Sequence, residues 1–207
     1  MIEQLLNQPN IWQGRHYQSP EGIDSGHPTL NNALPGNGWP RDGIIEIVST
    51  PGMGEVSLLL PALRHAQGQG HVIFLSVPWQ LHGPQLAEQG LDLNQVLSVN
   101  APMEQQQWSA EQSLKSAACS ALLFWPSKAL TFTAYRRLQI LCHERQKPCF
   151  LFMRQASKES PCSVRVAITH RTAHGIELQI LKSRGTWVNP SLSLPLNPVT
   201  SFLYPVQ

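Results

Sequence analysis

Charged residues are scarce in this sequence: Asp, Glu, Lys and Arg make up 14% of its 207 residues, against 42% hydrophobic residues. This composition excludes an intrinsically disordered chain, because disordered chains are rich in charge and poor in apolar side chains. The sequence also lacks any run of 18 apolar residues, and its longest apolar stretches, such as 44–48 and 121–125, have the length of a strand. We therefore expect a globular protein without a membrane span.

Cysteine is sparse as well, and the four cysteines of the chain show no spacing that indicates a disulfide framework. The first ten residues contain neither a basic region nor a long apolar core, so they do not resemble a signal peptide. Both features favour a reducing, cytoplasmic location.

Metal binding has little support in the sequence. The one group with suitable chemistry is Cys142, His143 and Cys149, but structural zinc sites need four ligands at short paired spacings. We predict no metal site, and we expect these cysteines to pack as small buried side chains.

Basic residues are concentrated in the second part of the chain. Residues 1–135 carry a net charge of −5, whereas residues 136–207 carry +7. A basic region of this size can attract nucleic acid or an acidic partner, although a solvated surface is the commoner explanation of such a region. Few aromatic residues are interleaved with the basic ones, which gives little support for base stacking on single-stranded DNA.

Apolar segments of four to seven residues alternate with helical stretches along most of the chain. Strands are predicted at residues 43–48, 71–77, 96–99, 121–125 and 149–153, and the longer helices at 55–67, 83–89, 105–118 and 131–145. Strands that are apolar throughout and separated by helices indicate an α/β fold, a mainly parallel sheet with helices on both faces. Residues 164–171 and 175–185 alternate apolar and polar side chains around a short turn, which predicts a C-terminal antiparallel hairpin at the sheet edge.

Three segments follow from this pattern. Residues 1–20 are predicted to form an N-terminal arm, residues 21–185 one domain, and residues 186–207 a Pro-rich tail that docks on this domain or on a partner.

The loop between the first strand and its helix, STPGMG at residues 49–54, has the position and glycine content of a phosphate-binding loop. A working loop has the form GxxxxGK[ST], in which the lysine neutralises phosphates and the hydroxyl holds magnesium. Here Ser49 replaces the first glycine, Gly54 keeps the second, and Glu55 and Val56 replace the lysine and the hydroxyl residue. A carboxylate ~4 Å from a phosphate costs about 1 kcal/mol in water and about 4 near a protein surface. We therefore expect no ATP binding in the usual mode; a glycine turn that merely ends a strand fits these residues equally well.

Residues 30–58, 71–102 and 121–126 resemble the corresponding parts of RecA-type ATPases. The resemblance places Pro78 near the position of the catalytic Glu and Trp125 at the magnesium-linked Asp, which is the Walker B position. Together with Glu55 at the Walker lysine position, this implies a degenerate RecA-like domain that is not an enzyme and holds no cofactor.

A closer resemblance is to the ImuA family, which is SulA-related and RecA-like. It is carried by IWQG (11–14), TLNNALPGNGWPRDGIIEIVS (29–49), PGMGEVSLLLPAL (51–63), residues 121–126, FLFMR (150–154) and LQILKSRG (178–185). It implies a cytoplasmic, non-enzymatic accessory protein of the SOS response to DNA damage. Such a protein supports mutagenic translesion synthesis by bridging ImuB, an inactive Y-family polymerase relative, and an error-prone polymerase, and RecA is a further candidate partner.

The SulA family, which inhibits cell division by binding FtsZ, is similar over a shorter region, from about residue 46 to residue 154. It usually lacks the leader that PGNGWP (35–40) represents here, and the second half of the C-terminal hairpin. A SulA-like inhibitor of FtsZ is therefore the alternative interpretation.

Partner contacts are predicted in the basic region and the tail. The candidate apolar anchors are Trp187, Phe202 and Tyr204, and the candidates for charge steering are Arg136, Arg137, Lys182 and Arg184. An ordinary exposed helix face for the two adjacent arginines, and packing of the tail on its own domain, are the competing explanations. The oligomeric state and direct contact with DNA stay open.

Overall fold

The computed structural model describes residues 20–157, 160–183 and 190–196. Its helices are α1 (Pro28–Ala33), α2 (Glu55–Gln67), α3 (Gly83–Glu88), α4 (Gln106–Lys115) and α5 (Phe132–Arg145), with a 3-10 turn at Leu93–Gln95. Its strands are β1 (Gly43–Val48), β2 (His71–Leu75), β3 (Val96–Val99), β4 (Cys119–Phe124), β5 (Pro148–Met153), β6 (Val164–Thr172), β7 (Gly175–Ser183) and β8 (Ser191–Pro195).

All eight strands belong to one sheet, in the order β3-β2-β4-β5-β1-β6-β7-β8. The pairs from β3 to β6 are parallel, and β7 and β8 follow as antiparallel strands. This confirms the predicted α/β fold with a mainly parallel sheet and a C-terminal antiparallel hairpin.

The helices cover both faces of the sheet, because the side chains of each parallel strand alternate between two cores. In β1, Ile45 and Ile47 pack in the same core as the apolar residues of α2, whereas Ile44 faces the core that contains Tyr135 and Leu138 of α5. The four central strands β1, β2, β4 and β5 are therefore buried on both sides, which is why they occur in the sequence as nearly continuous apolar runs.

Residues 191–195, which the sequence analysis assigned to the Pro-rich tail, form the edge strand β8. Leu194 pairs with Ile176 of β7 and is 1% exposed, so this part of the tail contributes to the core of its own domain. The strand was missed because it is short and lies between Pro190 and Pro195, which are turn and edge signals.

A buried ion pair joins the centre of β1 to β6. Glu46, which is fully buried, accepts a hydrogen bond from Arg165 Nε, and the Arg165 guanidinium also donates to the carbonyl of Ser157. Cys162 Sγ lies 3.6 Å from Glu46 Oε2. Burial, followed by the charge of Glu46, raises the pKa of the nearby Tyr135 phenol to about 12. The pair thus connects the sheet centre to the chain that follows β5.

The four cysteine thiols are expected to be unreactive in the folded protein. All four are free and buried, and burial raises the pKa of Cys119 to about 11. A thiol with that pKa is about 0.1% thiolate at pH 8, and thiolate is the reactive form. Titration with Ellman's reagent at pH 8 should detect fewer than one thiol per chain within minutes, and four in denaturant as the matched control. Rapid reaction without denaturant would contradict this packing.

Within the described ranges, no helix has the length and apolar character that a membrane span needs, and no group of three or more His, Cys, Asp or Glu residues is placed to hold a metal ion. Cys142 and Cys149 lie in the core, whereas His143 is exposed and its Nδ1 lies 2.6 Å from Asp42 Oδ2. The three residues considered for zinc therefore do not converge.

Candidate functional site

The carboxyl ends of the parallel strands open into a cleft of about 780 Å³. Its lining comes from residues at the ends of β1, β2, β3, β4 and β5, or directly after them, and from the start of α2 and α4. In open α/β sheets, ligands bind at this edge. The cleft is therefore the candidate functional site, and it includes the loop 49–54.

The loop keeps the backbone shape of an anion-binding turn. Gly52 and Gly54 have φ values of 89° and 94°, which glycine adopts at little cost. Gly54 is the N-cap of α2, a helix of 13 residues, so free backbone N–H groups and the positive end of the helix dipole meet here. An anion is expected at such a position.

The group that lies there is the side-chain carboxyl of Glu55. Glu55 is 2% exposed, and its Oε1 accepts a hydrogen bond from the Gly52 N–H at 3.0 Å. Burial raises the pKa of Glu55, and backbone N–H groups of residues 52–55 partly offset this by lowering it. The Glu55 side chain thus folds back into its own loop and accepts a hydrogen bond from the backbone at the start of α2.

The C-terminal strands cover the other side of this loop. Arg171 Nη1 donates to the Gly52 carbonyl at 3.1 Å. Leu196 Cδ1 and Ile176 Cγ2 would lie 3.0 and 3.3 Å from a Cβ placed on Gly54. The loop is therefore enclosed by side chains of the same domain.

Aromatic side chains fill the centre of the cleft. The rings of Trp125 and Phe152 are stacked, with 3.9 Å between their centroids and 2° between their planes, and Trp79 contacts Trp125 edge-on at 5.5 Å. Trp125 is 7% exposed. The position that the RecA resemblance assigns to a magnesium-linked Asp is therefore part of an apolar stack. Neither Trp79 nor Phe152 was predicted as a site residue, although Trp79 closely follows a predicted strand and Phe152 lies near the end of one.

Polar groups surround the stack. Ser76 has a φ of 54°, and its buried Oγ makes no hydrogen bond within the described residues. Gln106 and Ser127 make two mutual hydrogen bonds, of 2.8 and 2.9 Å, which fix the chain after β4 against α4. Lys128 and Arg154 are exposed at the rim. Among the described residues that line the cleft, Glu55 is the one acidic residue, and its carboxylate is turned into the loop. The cleft thus offers an amphipathic binding surface with two basic residues at its rim.

The predicted partner-binding residues fall into two groups. Arg136 and Arg137 are exposed on α5, where Arg137 Nη1 lies 3.9 Å from Glu111, and Lys182 Nζ donates to the Ser160 carbonyl at 3.2 Å. The remaining candidates, Arg184, Trp187, Phe202 and Tyr204, lie outside the described residues. Arg137 and Lys182 each have an intramolecular partner, so their role in partner contact stays a prediction.

Comparison with known proteins does not assign the chain to a family. No protein-family model matches the sequence, and no curated protein is significantly similar to it. The functional interpretation therefore depends on the loop, the cleft and the sequence resemblance described above.

Proposed function

We propose that this protein is a non-enzymatic accessory protein of the bacterial SOS response, built on a degenerate RecA-like domain. It supports mutagenic translesion DNA synthesis by bridging an ImuB-type inactive Y-family polymerase and an error-prone polymerase. The proposal is supported by the ImuA resemblance across roughly residues 11–185 and by a parallel α/β sheet with a glycine loop after β1.

The position of the Glu55 carboxylate is the observation that supports a non-enzymatic role. A nucleotide phosphate at the start of α2 has to displace this carboxylate from the Gly52 N–H and leave it facing a negative charge. The Trp125–Phe152 stack removes the second requirement of a nucleotidase, a carboxylate for magnesium. A domain with this site acts through its surface.

Titration of Mg-ATP into the purified protein is expected to give no binding heat and no thermal shift up to millimolar concentration. The expectation follows from the repulsion between Glu55 and phosphate, about 1–4 kcal/mol, added to the missing lysine. An active RecA-type ATPase measured in the same buffer is the control. Binding at micromolar Mg-ATP would contradict the non-enzymatic role.

The choice of partner needs a separate experiment with purified proteins. The proposal expects direct binding to an ImuB-type protein, with RecA as a further candidate and without binding to FtsZ. Over-expression in bacteria should leave cell length unchanged, because filamentation is the expected result of a SulA-like inhibitor of FtsZ. Filamentation together with FtsZ binding would replace the proposed function by the SulA-like alternative.

A further inference from the structure

The edge strand β3 and its surroundings expose an unusual share of the large apolar side chains. Seven large hydrophobic residues are exposed within the described part of the chain. Five of them lie on the 3-10 turn, β3, the following loop and α4, namely Leu93, Leu97, Val99, Met103 and Trp108, at 36–62% exposure. A concentration of this kind at one end of a sheet marks an interaction surface.

The backbone of β3 is also free on its outer side within the described residues. β3 is the terminal strand of the sheet and pairs with β2 alone. The Val99 carbonyl accepts from the Ser76 N–H at 2.8 Å, so it points towards β2. Because backbone groups alternate between the two edges along a strand, the N–H and C=O of Ser98 point outward.

Apart from its length of four residues, this edge carries none of the usual protection against pairing. Edge strands are normally blocked by proline, lysine or a bulge. The strand β3 is VLSV, without proline or charge, whereas β8 at the opposite end of the sheet ends at Pro195. An unprotected edge beside exposed apolar residues is the arrangement that binds an added strand.

The charges near β3 in the sequence indicate which kind of segment can bind to this edge. From residue 65 to residue 114 the sequence contains no Lys or Arg, and its acidic residues are Glu88, Asp92, Glu104 and Glu111. A second copy of this chain fits poorly, because it brings the same acidic residues to the interface. Like charges that face each other are destabilising. The complementary occupant is basic.

We propose that β3 is a docking edge for an extended segment of a partner protein, in which alternating apolar residues are flanked by Lys or Arg. The segment adds as a strand beside Ser98, and its apolar side chains contact Leu97 and Val99. These two residues lie in register with Ile73 and Leu75, on the face that α4 partly covers. This inference rests on the proposed function in one respect: a bridging protein needs several binding surfaces, and β3 would be one of them.

The test uses the purified full chain and a labelled synthetic peptide in which valine and threonine alternate between terminal lysines. Fluorescence anisotropy should show binding that is at least ten-fold weaker for a matched peptide with glutamate in place of lysine and for one with a central proline. Ser98→Pro, which removes the outward N–H, should weaken binding about ten-fold, whereas Ser98→Thr should not.

Hydrogen exchange on the wild-type protein keeps the test valid if Ser98→Pro fails to fold. The peptide should slow exchange at the Ser98 amide. Three results would each overturn the proposal. The lysine and glutamate peptides could bind equally well, or the peptide could leave the exchange rate of the Ser98 amide unchanged. The third is a wild-type dimer in sedimentation that Ser98→Pro converts to a monomer. If the peptide does not bind but an ImuB-type protein does, only the docking role of β3 is rejected. Binding of ATP or inhibition of FtsZ would instead reject the proposed function.

Discussion

Replacing Glu55 with alanine is expected to make the protein respond to inorganic phosphate, to which the wild type should not respond. The Glu55 carboxylate satisfies the Gly52 N–H at the start of α2, and its removal leaves this part-buried donor without that acceptor. Each unsatisfied donor costs about 1–3 kcal/mol, which phosphate can restore by binding there. Arg171, which donates to the Gly52 carbonyl, adds an adjacent positive charge.

The measurement is a thermal shift across a phosphate series at constant ionic strength. A ligand at ten times its Kd adds about 1.4 kcal/mol, which for a chain of this size raises Tm by about 3–5 °C. Glu88→Ala, at an exposed glutamate on α3, is the matched control and should behave as the wild type does. A folded Glu55→Ala variant that ignores phosphate would show that the loop has lost its anion-binding geometry.

Replacing Arg165 with methionine is expected to lower the free energy of unfolding by about 3–5 kcal/mol. The variant leaves the fully buried Glu46 carboxylate without its cation and the Ser157 carbonyl without its donor. A charge left unpaired in the interior bears its full desolvation cost. Urea denaturation followed by far-UV circular dichroism measures the change.

Two further variants separate the charge effect from lost packing. Arg136→Met, at an exposed arginine on α5, should change stability by less than about 0.5 kcal/mol. The double variant Glu46→Leu/Arg165→Met should recover most of the loss, because an apolar pair of similar volume is often neutral. A loss below about 1 kcal/mol for Arg165→Met would mean that water or a rearranged side chain reaches Glu46.

The central strands β1, β2, β4 and β5 were predictable because each is buried on both faces and is therefore apolar almost throughout. The pairing of Glu46 with Arg165 was not, since the two residues are 119 positions apart and only the adjacency of β1 and β6 brings them together. The stacking of Trp125 on Phe152 likewise depends on β4 lying beside β5. Sequence order does not reveal strand order.

For the loop 49–54, the charge of the residues could be predicted from the sequence, but the direction of the Glu55 side chain could not. Glu55 at the lysine position predicts weak phosphate binding from charge alone. That its carboxylate turns back to the Gly52 N–H depends on the positive φ values of Gly52 and Gly54. The cover by β7 and β8 could not be foreseen, because β8 was not predicted as a strand.

The strand order has a consequence for the chain as it leaves the ribosome. Among the described strands, β1 pairs with β5 and β6, which are both made after it, so the GIIEIV segment at residues 43–48 has no described partner strand until residue 148 has been added. At the usual speed of translation, about 100 residues take roughly 5–20 s. During that interval a nearly continuous apolar strand with one acidic residue is accessible to chaperones, and it becomes the centre of the sheet late in synthesis.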